Sequence, residues 1–127
     1  MRRMIITTAA VLAFGLALSA FALISVTHLT EIARDLRSEA IEAMENRQIQ
    51  HAEETLVRLA AHLEDHHAVL EAFCDHEDLH ELKGELIDAR ASIEFGNETD
   101  FHLAIYRFGE LLEHLSEVQK LTLTNVL

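Results

Sequence analysis

The chain has no proline and no tryptophan, one cysteine, one tyrosine and four glycines in 127 residues. Without proline, no ring blocks a helix, and strand-and-turn architectures lose much of their usual punctuation. Only Gly84, Gly96 and Gly109 interrupt the region beyond residue 27, which is rich in Ala, Leu and Glu. That balance reads as an all-α fold. The lone Cys74 excludes an internal disulfide, and it lies too far from the N-terminal segment to be a lipid-attachment cysteine. Basic residues are scarce as well. Arg2 and Arg3 precede the first apolar run, so eight basic residues face 22 acidic ones beyond it, a formal charge of −14. Such a surface repels nucleic acid phosphates and anionic headgroups, and suits cations or a partner with a basic face.

Charge is missing altogether from Met4–Val26, whose polar side chains are Thr7, Thr8, Ser19 and Ser25. As a helix these residues cover roughly 34 Å, enough for a hydrocarbon core of about 30 Å. Arg2 and Arg3 read as the cytoplasmic flank under the positive-inside bias, which puts the rest of the chain outside the cytosol. Ala20-Phe21-Ala22 imitates a signal-peptidase site. Against cleavage, the run outlasts a usual signal core and helical patterning resumes directly at Leu29, Ile32 and Ala33. The expectation is an uncleaved bacterial membrane anchor over 1–27 and an acidic extracytoplasmic helical domain over 28–127.

Within that domain, Leu29, Ile32, Ala33, Leu36, Ala40, Ala43 and Met44 form a stripe of period near 3.6, predicting a stalk that continues the anchor to about Glu45. Asn46 is the turn candidate, since Asn tolerates left-handed backbone. Ile49, Ala52, Leu56, Leu59, Leu63, His66, Leu70 and Phe73 step alternately by three and four, predicting one helix over 47–73 with His66 inside the seam. The phase then slips to Leu79, Leu82, Leu86, Ala89 and Ile93, which predicts a corner at Cys74–Asp75 with Asp75 as N-cap and Asp78 in the first turn. Gly96 should end this helix and Asn97 cap the next, which carries Phe101, Ala104, Ile105, Phe108, Leu111, Leu112, Leu115 and Val118. The four large apolar residues of Leu121–Leu127 favour docking on the bundle. The architecture expected is a small antiparallel bundle of two helical hairpins, 28–73 and 75–118. Successive hairpins of this kind also build tetratricopeptide repeats, but the Trp-Leu-Gly-Tyr pattern is missing and two units are few for a solenoid.

From Phe73 onward the chain resembles a known family. Phe73-Cys-Asp-His-Glu-Asp-Leu79 looks like its Phe-x-Asp-His-Glu-x-Leu segment, and Leu121-Thr-Leu-Thr-Asn-Val-Leu127 looks like its Leu-Ser-Leu-x-Asn-Ile-Leu ending. This is the bacterial family catalogued as domain of unknown function 4363. Members are of similar length and begin with an apolar segment; many carry a tryptophan in the second helix, which this chain lacks. The resemblance implies a small membrane-associated helical protein and brings no catalytic or binding residue with it.

Histidine is abundant: His28, His51, His62, His66, His67, His76, His80, His102 and His114. His76-Glu-Asp-Leu-His80 is a literal H-E-x-x-H, the helical pattern in which two imidazoles hold zinc and the glutamate activates water. Asp78 and Glu81 put charge where metalloprotease helices carry uncharged residues, no third ligand is identifiable, and about 100 residues leave little room for a cleft. The match reads as chance and the chain as non-enzymatic. Metal binding without catalysis is the sharper alternative: the corner could gather His66, Cys74, His76 and His80, and imidazole with thiolate suits zinc or copper. The plainer reading packs His66 in the seam and leaves the other histidines solvated. Nine imidazoles with ordinary values near 6.5 would also neutralise much of a −14 surface on mild acidification. No cofactor is called for. The partner expected is a protein, another membrane protein or a second copy, with no nucleic acid and with the membrane engaged through the N-terminal helix.

Overall fold

A computed structural model describes residues 1–126 of the chain, and their side chains except those of Phe73, Gln119 and 122–126. The described residues form five helices: α1 (Arg2–Glu45), α2 (Ile49–Asp65), α3 (His67–Phe73), α4 (His76–Glu94) and α5 (Glu98–Val126). α1 runs without interruption from the apolar segment into the bundle, as the unbroken stripe requires. Its first half stands alone. Met4, Ile5, Ile6, Val11, Leu12 and Phe14 are each more than 60 % exposed, whereas Leu29, Ala33, Leu36, Ala40, Ala43 and Met44 are buried. α1 is the one helix among the described residues that is long and apolar enough to cross a membrane.

Two turns of the same design fold the chain back. After α1, the Gln48 amide donates to the Ala43 carbonyl and the Arg47 amide to that of Met44, with Arg47 in the left-handed region at φ 59°. After α4, the Asn97 amide donates to Ser92 and the Gly96 amide to Ile93, with Gly96 at φ 71°. Both are Schellman caps. The left-handed position expected at Asn46 is therefore one residue further on, while Asn46 itself keeps an ordinary φ of −85°. Asn97 caps α5 as expected: its Oδ1 accepts from the Asp100 amide at 3.0 Å, and its Nδ2 donates to the Asp100 carboxylate at 2.7 Å.

α1 packs against α2 and α5, α4 packs against α5, and α2 meets α4. The two hairpins thus face each other and close a single core, in which Leu56, Leu59, Leu63, Leu82, Phe101, Ile105 and Phe108 are essentially inaccessible. Each buried side chain of this size contributes about 1.5–3 kcal/mol of transfer free energy, enough to hold a small domain without a disulfide. The α4 stripe is buried throughout, from Leu79 to Ile93.

Three expectations need correction. The helix over 47–73 is two helices broken at His66, because the His66 ring bonds the His62 carbonyl at 2.9 Å, the acceptor that its own backbone amide would use in a continued helix. The break turns His66 out to solvent, so it does not sit in the seam, while Leu70 remains buried. Ile49 and Val118, at the ends of their stripes, are 54 % and 43 % exposed. The backbone of 122–126 continues α5 as helix; the docking of those side chains and of Leu127 lies outside the described residues.

Candidate functional site

The corner between α2 and α4 carries most of the candidate residues. Asp75 caps α4 as expected, its Oδ1 accepting from the Glu77 amide at 3.1 Å, and Glu77 and Asp78 occupy the first turn, where the helix dipole favours anions. His76 and His80 lie one turn apart on α4 and both are exposed, as is Glu77. Cys74 is half-buried against the core. Burial pushes its thiol above the ordinary value, and the nearby Asp78 carboxylate pushes the same way. A thiol held protonated is a poor nucleophile and a reluctant metal ligand. His66 is tied to the His62 carbonyl, and its ring lies 4.7 Å from that of His62. Among the described residues no group of three or more His, Cys, Asp or Glu side chains converges on a point where a metal ion could be held.

What the corner does contain is a lysine that no pattern along the chain singles out. Lys83 on α4 places Nζ 2.9 Å from Glu64 Oε1 at the end of α2 and 2.7 Å from His67 Nδ1 at the start of α3. His67 Nε2 in turn lies 3.3 Å from the Glu71 carboxylate. An ammonium only donates, so His67 Nδ1 must accept and Nε2 carries the ring proton toward Glu71. The hydrogen bond and charge of Lys83 lower the Glu64 carboxyl below its ordinary value. One side chain thereby ties three helices across the break at His66. Nearby, His62 Nε2 meets the Leu29 carbonyl of α1 at 3.1 Å. These contacts are structural, and their polar atoms are turned toward one another rather than toward a ligand. The groove beside Lys83 between α2 and α4, lined by Ala60, Leu63, Leu86 and Ile87 among others, is about 250 Å³. Ligand sites start at about 300 Å³ and bring convergent polar groups.

A second set of contacts, which no spacing along one helix announces, joins α1 to α5. Arg37 Nε donates to the Ile105 carbonyl at 2.9 Å, and its guanidinium lies flat on Gly109, where an added Cβ would come within 2.6 Å of Cζ. Arg34 Nη2 pairs with Glu113 at 2.6 Å one turn away. The two contacts fix α1 and α5 as antiparallel neighbours. Gly109, isolated within a helical stripe, was the one sequence signal of this close approach.

Fold and surface together define a class: a small acidic helical bundle carried on one long helix whose first half is apolar and uncovered. Within that class the chain belongs to the family described as Domain of unknown function (DUF4363), whose model matches residues 21–126. The family named from the segments at Phe73–Leu79 and Leu121–Leu127 is thus the right one. No curated protein and no solved structure shows detectable similarity to the chain.

Proposed function

We propose that this is a non-enzymatic, single-pass membrane protein whose acidic bundle, held outside the cytosol, acts as an interaction module for another membrane protein or a second copy. The observation that carries the reading is the contrast within α1. Its first half exposes an uncharged apolar surface that water would not tolerate alone, while its second half is buried in a finished core. A membrane covers the first surface, and Arg2 and Arg3 hold that end on the cytoplasmic side. The bundle then presents a formal charge of −14 to its surroundings, suited to a partner with a basic face. Because α1 is continuous, the anchor and the bundle are one rigid lever rather than a domain on a flexible leash.

Crosslinking in native membranes, followed by purification in detergent and identification of neighbours, tests this. A reproducible protein partner or a self-adduct is expected, lost when Arg and Lys contacts are screened by salt. Recovery of the chain alone under every condition would overturn the interaction role. A zinc or copper domain built on His66, Cys74, His76 and His80 would instead need these side chains to gather, with the Cys74 thiol giving up its proton.

A further inference from the structure

The pairs Arg34–Glu113 and Arg37–Ile105 fix the register of α5 along α1. Both helices rise about 1.5 Å per residue and run in opposite directions. Counting eight residues back from Arg34 and eight on from Glu113 brings Leu121 level with Val26, and counting sixteen from the Arg37–Ile105 pair brings it level with Phe21. The end of α5 therefore reaches the last turns of the apolar run Met4–Val26. Lys120 is the last residue of α5 with a charged side chain. On α1 the first charge after Arg3 is Glu31. At this common level both helices turn large apolar side chains outward: Phe21 is 65 % exposed, Ile24 67 % and Leu121 64 %. Ala22 and Val26, on another side of α1, are each 3 % exposed, so the bundle already packs on this stretch.

From this register we propose that α5, from Leu121 onward, lies in the interfacial layer of the bilayer beside the anchor, giving the protein a second point of membrane contact. The proposal rests on the anchor reading above and adds to it a depth and an orientation. The occupant of the apolar belt of Phe21, Ile24 and Leu121 is lipid, because the belt continues the exposed apolar surface of α1, a helix with no charged residue between Arg3 and Glu31. Two contacts with the bilayer, unlike one, fix which side of the bundle faces outward, and hence which acidic surface a partner meets.

The test uses the full chain with Cys74→Ala, reconstituted in phosphatidylcholine vesicles, since a domain this acidic is repelled by anionic lipid. A fluorophore is attached in turn to Phe14→Cys, Val118→Cys, Leu121→Cys and Thr99→Cys. Quenching is read with lipids carrying a nitroxide near the headgroup end of the acyl chain or near its tail. The Leu121 label is expected to lose emission to the shallow nitroxide and less to the deep one. The Val118 label should lose less than the Leu121 label, and the Thr99 label, at the far end of the bundle, should lose none. The Phe14 label should be quenched by the deep nitroxide. A quenched Phe14 label with an unquenched Leu121 label would overturn this proposal and leave the anchor standing; an unquenched Phe14 label would overturn the anchor itself.

Discussion

Gly109→Ala is a substitution whose sign depends on one partner, and it tests the packing of α1 on α5. In an ordinary helix interior, alanine in place of glycine stabilises by about 1 kcal/mol. Here the new Cβ would lie 2.6 Å from both Cζ and Nε of Arg37, so the guanidinium must leave Gly109 and give up its bond to the Ile105 carbonyl. A hydrogen bond from a charged donor is worth about 1.5–3 kcal/mol net. The substitution should therefore destabilise the domain by about 0.5–2 kcal/mol. In an Arg37→Ala background the same change has nothing to displace and should stabilise by about 1 kcal/mol. Urea unfolding of the four proteins of this cycle in detergent, followed by helical circular dichroism, measures the coupling. Equal effects of Gly109→Ala in the two backgrounds would refute the contact between Arg37 and Gly109.

The two Schellman turns make a matched pair of expectations. Arg47→Gly relieves a left-handed non-glycine residue and should raise stability by up to about 1 kcal/mol, whereas Gly96→Ala should lower it by a similar amount, both read as urea midpoints. Phe108→Ala, in the centre of the core, should cost about 3–5 kcal/mol and leave the domain largely unfolded at ambient temperature. Because Lys83 lowers the Glu64 carboxyl, the Glu64 contribution is full above the ordinary value of 4.5 and is lost as pH falls through the lower folded-state value. Glu64→Gln should accordingly flatten the acid limb of a stability–pH profile, and an unchanged limb would contradict the bridge. Elemental analysis of the purified chain should find zinc and copper well below one per molecule; a stoichiometric metal lost in Cys74→Ser would favour the metal-binding alternative.

Much of the fold was legible because it rests on periodicity and caps. The stripes of α1, α4 and α5, the Asp75 corner and the Gly96 and Asn97 pair are local signals, and each stands where its chemistry points. The break at His66 was hidden because the three-four stepping runs through it, whereas the competition is between a ring nitrogen and a backbone amide for one carbonyl. Arg47 was missed for a similar reason: the Schellman geometry chooses the position, and the chain puts arginine there although Asn46 is the more tolerant residue. Lys83, His67 and Arg37 act between helices, and no spacing along one helix announces a partner on another. The H-E-x-x-H pattern is local as well, and among the described residues no group of three or more His, Cys, Asp or Glu side chains gathers around it. Both of its histidines open α4 toward solvent.

The claim on which the rest depends is that Met4–Val26 stays in the bilayer and carries the bundle on the non-cytoplasmic side. A Cys74→Ala, Thr99→Cys chain, labelled in intact cells with a membrane-impermeant maleimide and weighed intact after extraction, tests it most directly, since Thr99 is exposed at the far turn of the bundle. The expected result is a full-length mass carrying the label without permeabilisation. A mass short of the first two dozen residues, or labelling that begins only once the cells are opened, would contradict it.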